Sequence, residues 1–140
     1  MTRGRRFRAF TLMELLLVML ILIVLASVAV PIYFGNIDRS HRQATIVDIA
    51  MFEEAIARFE IDNSRFPTTG EGLAALVEAP PDLTDSWHGP YIKRVPLDKW
   101  GNAYIYKCPG ERDVRSYDVV SVGKDGVEGT ADDIDKYTTN

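Results

Sequence analysis

From Leu15 to Val30 every position except Ser27 is apolar, and the run reaches back to Phe10 with only Thr11 and Glu14 interrupting it. A helix over residues 10–30, at about 1.5 Å per residue, is about 30 Å long, enough to cross the hydrocarbon core of a bilayer. Pro31 closes the run and is expected to kink the helix or loosen it locally. Beyond Gly35 the pattern changes: Ile46, Ile49, Phe52, Ile56 and Phe59 recur at steps of three or four, the spacing of one buried helical face. Asp48, Glu53, Arg58 and Asp62 occupy the polar side, and Asp62-Asn63-Ser64 followed by Pro67 ends the helix. The pattern predicts one long N-terminal helix, apolar all round in its first half and amphipathic in its second.

The remainder reads as short elements. A short helix is expected to start near Thr69 and to be stopped by Pro80-Pro81. Tyr104 and Tyr106 flank Ile105 in the alternation of a half-buried strand, Cys108-Pro109-Gly110 is a turn signal, and Tyr117 to Val122 reads as a second strand broken by Gly123-Lys124-Asp125-Gly126. The expected fold is α+β, a small antiparallel sheet packed on the amphipathic half of the long helix.

Charge sharpens this picture. Of 16 basic and 20 acidic residues, Arg3, Arg5, Arg6 and Arg8 fall in the first nine positions, leaving 12 basic against 20 acidic, a formal −8, for the rest. A body that acidic lacks the cationic surface that neutralises phosphates, which excludes nucleic acid as a partner. Arginines before the apolar run and none within it predict a cytoplasmic N-terminus, with the rest of the chain on the far side of the membrane. The single cysteine, Cys108, cannot form an intramolecular disulfide and reads as structural or incidental. His41 and His88 are the only histidines, and no nucleophile motif, phosphate-binding glycine loop or zinc spacing accompanies them, so no enzyme is expected.

Two features carry candidate chemistry. Glu14 is an acid in an apolar helix, where a carboxylate costs about 2.5–3.5 kcal/mol on insertion scales. Position alone leaves open a hydrated residue at the membrane edge. A secretory signal peptide, with Arg3–Arg8, Leu12–Leu25 and Ser27-Val28-Ala29 as its three regions, is a second reading and implies a soluble, released protein. The other feature is the stretch Gly123 to Asp133, which concentrates acids and glycines; its residues alone allow an acidic surface loop or a site for calcium, which takes six to eight oxygens.

The stretch Arg8-Ala9-Phe10-Thr11-Leu12-Met13-Glu14 before Leu15-Leu16-Leu17-Val18 resembles the type III signal of type IV pilins and type II secretion pseudopilins. Asn63-Ser64-Arg65-Phe66-Pro67-Thr68-Thr69 with Gly72-Leu73, and Pro96-Leu97-Asp98-Lys99-Trp100-Gly101-Asn102 leading into Tyr104-Ile105-Tyr106, resemble the major pseudopilins of type II secretion. The resemblance implies a leader over residues 1–9, a transmembrane and polymerisation helix over 10–30 and a periplasmic pilin-like domain over 31–140. It implies cleavage by a prepilin peptidase between Ala9 and Phe10, methylation of the new amine, and pairing of that amine with Glu14 of a neighbouring copy. Ala9 stands where the family usually has glycine. Calcium is implied in the acidic loop, with carboxylates from Asp125, Asp132 and Asp133 and main-chain oxygens from Val122, Val127 and Thr130. The implied partners are further copies of this chain in a fibre, minor pseudopilins and an inner-membrane assembly platform, and the implied role is export of folded proteins across the outer membrane. A type IV or competence pilin is the neighbouring reading; many of those close a C-terminal loop with two cysteines, and this chain has one.

Overall fold

The computed structural model describes residues 10–138, apart from the side chains of Pro31, Ile32, Phe34 and Asn36; the leader expected over residues 1–9 lies outside the described residues. Helix α1 spans Leu12–Asn63 and is followed by a 3-10 helix (Gly72–Leu76) and strands β1 (Ile105–Lys107), β2 (Asp118–Ser121) and β3 (Ile134–Asp135). α1 runs through Pro31 and Gly35 without a break in its assignment, so the proline ends the apolar run but not the helix. The Thr11 hydroxyl accepts the Glu14 amide at 3.2 Å and caps the first turn. At the other end Ser64 adopts φ 56° and Asn63 Nδ2 donates to Phe59 O at 2.9 Å, satisfying a carbonyl in the last turn.

The chain divides between Asp38 and Arg39 into two compact units. In the first, α1 from Leu12 to Val30 has no buried residue, and its leucines, isoleucines and valines are about half exposed or more.

In the second unit the expected face of α1 is the core. Ile49, Phe52, Ile56 and Phe59 are buried, Ile46 is half-buried against them, and Leu73, Leu76, Tyr104, Tyr106, Tyr117, Val119 and Ile134 complete the cluster. The sheet is antiparallel with β2 in the middle: Tyr106 pairs with Val119 across β1 and β2, and Ser121 with Ile134 across β2 and β3. Tyr104 and Tyr106 are buried and Ile105 half-buried, the alternation the sequence predicts. β3 was not predicted. The helix expected near Thr69 is the five-residue 3-10 helix, entered through Gly72 at φ 59°.

Aromatic edges knit α1 and the segment after it to residues that flank the strands. Phe52 meets Tyr104 edge-on at 4.9 Å and Phe66 meets Tyr117 at 5.1 Å. Tyr106 Oη donates to Pro67 O at 2.9 Å and Tyr104 Oη to Asp48 at 3.1 Å, so neither buried phenol is left unpaired. Burial raises both phenols above the ordinary tyrosine range and pushes Tyr117 up to about 12. Just past α1, Arg65 makes two parallel bonds to Glu71 at 2.8 and 2.7 Å and a third contact to Asp82 at 2.9 Å. This fork closes the turn between α1 and the 3-10 helix, and its hydrogen bonds hold Glu71 down to about 2.

Candidate functional site

The two candidate features fall in different units. Ala9 lies outside the described residues, while Phe10 and Glu14 are exposed at the start of α1. Thr11-Leu12-Met13-Glu14 has the spacing of a capping box, and the Thr11 hydroxyl bond to the Glu14 amide places Glu14 in the first turn, where its charge also suits the helix dipole. Spacing alone could have shown this local role for Thr11; the sequence reading passed over it.

The acidic loop joins β2 to β3. Gly123, Gly126 and Gly129 have φ of 64°, 70° and 89°, so the backbone reverses at every third residue through conformations that side chains disfavour. Gly123 also has no space for a side chain, because a Cβ there would lie 2.6 Å from Asp132 O. The carboxylates turn onto this backbone. Asp132 Oδ2 accepts the amides of Lys124 at 2.8 Å and Asp125 at 3.1 Å, and its Oδ1 accepts the Thr130 hydroxyl at 2.6 Å. Those bonds, the Thr130 hydroxyl first, hold the Asp132 carboxyl down to about 2. Asp125 Oδ1 accepts the Val127 amide at 2.9 Å and Asp133 Oδ2 the Gly129 amide at 2.7 Å.

Asp125, Asp132 and Asp133 therefore share one loop, but among the described residues no three His, Cys, Asp or Glu side chains gather into a cation-holding group. Val122 is buried at the end of β2, Val127 O accepts the Thr130 hydroxyl at 3.2 Å, and Thr130 O accepts the Asp133 amide at 3.4 Å. One oxygen stands apart: Asp133 Oδ1 is buried and has no hydrogen-bond partner. A buried carboxylate oxygen without a donor is costly unless a cation compensates it. The expected donors are all oxygens, the ligand type of a hard cation, so the residues fit calcium by chemistry. A cleft of about 430 Å³ opens beside the loop, with Glu111, Asp118, Glu128, Asp133 and Asp135 on its walls and Arg112 paired with Asp135 at 3.2 Å.

Two groups the sequence reading did not single out hold the loop from outside. Lys107 on β1 pairs with both Glu111 and Glu128. Asp98 and Asn102 reach the end of β2 from the Pro96–Asn102 segment. His41 is half-buried, its ring edge-on to Trp100 at 5.7 Å. Cys108 is half-buried and unbridged, its backbone exchanging two 2.9 Å bonds with the Thr69 hydroxyl. His88 sits in a loop.

Comparison with known proteins gives this fold and these features a context. Residues 32–138 match the family described as type II secretion system (T2SS), protein G. The chain is 44% identical over 133 residues to the type II secretion system core protein G of Escherichia coli K12, covering 93% of this chain and 90% of that protein. It is 42% identical to the core protein G of Vibrio cholerae over 131 residues, 92% of this chain and 88% of that one. Among solved structures it resembles the major pseudopilin from the type 2 secretion system of enterohaemorrhagic E. coli, with a TM-score of 0.64 and 38% identity, covering 72% of this chain and 86% of the other.

Proposed function

The chain belongs to the protein G family of the type II secretion system, and from that membership we propose how it is processed, anchored and held in its fibre. It is a structural subunit of the type II secretion pseudopilus, not an enzyme, and assembles into that pseudopilus with other components of the system. One observation carries the proposal: a helical segment long and apolar enough to cross a membrane, with none of its residues buried in its own chain, precedes a compact unit of the pseudopilin fold.

A prepilin peptidase cuts between Ala9 and Phe10, so the apolar segment stays with the mature subunit, and the new amine on Phe10 is methylated. The N-terminal arginines keep the leader cytoplasmic, and the domain over residues 31–140 is periplasmic, anchored in the inner membrane by residues 10–30. An inner-membrane assembly platform extracts the subunit and stacks it with its own copies and with minor pseudopilins into a fibre that helps export folded proteins. In the fibre the Phe10 amine of one copy pairs with Glu14 of the next. An unpaired charge in an apolar helix bundle is strongly unfavourable, so the pair selects one stacking register.

Calcium is held in the acidic loop by Asp125, Asp132 and Asp133 with main-chain oxygens of Val122, Val127 and Thr130. The ion supplies positive charge among crowded acids; the unpaired Asp133 Oδ1 and the oxygen-only donor set support this.

Mass spectrometry of the mature N-terminus from membranes tests the processing. A chain starting at methylated Phe10 is the expected result, and a start at Val30 would overturn the proposal. Glu14→Gln, which keeps the Thr11 cap on the backbone amide but removes the charge, is expected to abolish cross-linked fibre ladders. Fibres of normal length from that variant would sink the amine–carboxylate pair.

A further inference from the structure

Asp98 is 5% exposed, and most of its contacts organise backbone. Its Oδ1 accepts the amides of Trp100 at 3.0 Å and Asn102 at 2.7 Å, while its own amide donates to Asn102 O at 2.8 Å. Gly101, at φ 93°, closes the ring. The other oxygen, Oδ2, accepts the Ser121 hydroxyl at 2.7 Å, tying this small ring to the last residue of β2. The ring aims the Asn102 side chain outward, where Nδ2 donates to Gly123 O at 2.8 Å. Asn102 Oδ1 lies beside the next glycine of the loop, 3.6 Å from where a Cβ on Gly126 would stand. Gly123 also packs against Asp132 O, near the other end of the acidic loop.

We infer that Asp98 and Asn102 are positioning residues of the acidic loop: they grip it at Gly123 and hold its backbone in the fold from which its carboxylates and carbonyls would reach the ion. Neither residue contributes an oxygen to the proposed donor set. They act on the loop backbone from a segment more than twenty residues earlier in the chain. The effect on ion affinity rests on the calcium proposal; the effect on loop conformation does not.

The test uses the full chain in detergent micelles, as wild type, Asn102→Ala, Asn102→Asp and Ser121→Ala. Hydrogen exchange is first measured in the presence of chelator. Asn102→Ala is expected to speed exchange of the Lys124, Asp125, Val127 and Gly129 amides about fivefold, the effect of one lost hydrogen bond. The amides of β1 and of the buried face of α1 should keep their wild-type rates. Asn102→Asp, which sets a carboxylate against the Gly123 carbonyl, should speed loop exchange more than Asn102→Ala. Ser121→Ala releases the Asp98 link together with the Gly123 amide, which the Ser121 hydroxyl accepts at 3.3 Å, and should speed the same amides as well. Calcium titration by calorimetry should then show affinity weakened about tenfold in Asn102→Ala, as for outer partners of metal ligands. Equal acceleration across loop, β1 and α1 would mark a merely structural role and overturn the inference, as would unchanged loop exchange. If wild type binds no calcium, the ion proposal falls, and the exchange pattern still decides the positioning role.

Discussion

The two halves of α1 are one helix by backbone and two by surface. From Leu12 to Val30 apolar side chains point in every direction and none is buried. From Ile46 to Phe59 they return at steps of three and four, and that stripe is the core of the second unit. Periodicity thus separates a helix whose partner is carried on the same chain from one whose partner comes from outside, lipid or another copy. The isotropic half needs surroundings apolar on all sides, which the described chain does not itself provide.

Substitutions in the two halves should therefore report in different assays. Phe59→Ala removes a fully buried ring and is expected to destabilise the second unit by about 3–5 kcal/mol, seen as a large drop in melting temperature in micelles. Leu20→Ala should move that transition by less than about 0.5 kcal/mol. Comparable shifts from the two would erase the distinction. Saturating calcium is a contrast confined to the second unit: at a hundredfold excess over the dissociation constant it should stabilise that unit by about 2.7 kcal/mol. No shift, or a full shift in Asp125→Ala, would count against the loop site.

A smaller effect comes from Arg65. Arg65→Ala should cost roughly 2 kcal/mol, the scale of a charge-assisted fork that is not fully buried. Its pH signature is specific. Glu71 lies below its ordinary 4.5, at about 2, so its stabilising contribution is complete above pH 4.5 and is lost as pH falls towards 2. Acid melts of wild type should steepen across that window, and Arg65→Ala should lack the added slope.

The legible parts of the fold were those written locally. The stripe from Ile46 to Phe59 needs only helical spacing, and the alternation of Tyr104 and Tyr106 needs only a strand's period of two. β3 escaped because two residues, Ile134 and Asp135, cannot display a period; their pairing with β2 depends on where the acidic loop returns. The same holds for the site. Asp125, Asp132 and Asp133 stood out as acids, and resemblance assigned them to an ion. Which amide each carboxylate accepts follows from glycine turns whose geometry the spacing does not encode. Asp98 and Asn102 were visible only as part of a family motif, because their partners, Ser121 and Gly123, lie more than twenty residues away.

The buried stripe of α1 also sets how the second unit bears load. From Ile46 to Phe59 it extends about 20 Å along the helix axis, at 1.5 Å per residue. Tension along α1 would meet Ile49, Phe52, Ile56 and Phe59 together, in shear against the sheet and the 3-10 helix, with no row of cross-links to open one at a time. Within the second unit, a helix joined to its sheet in this way meets tension along its axis with four buried side chains at once, not with one at a time.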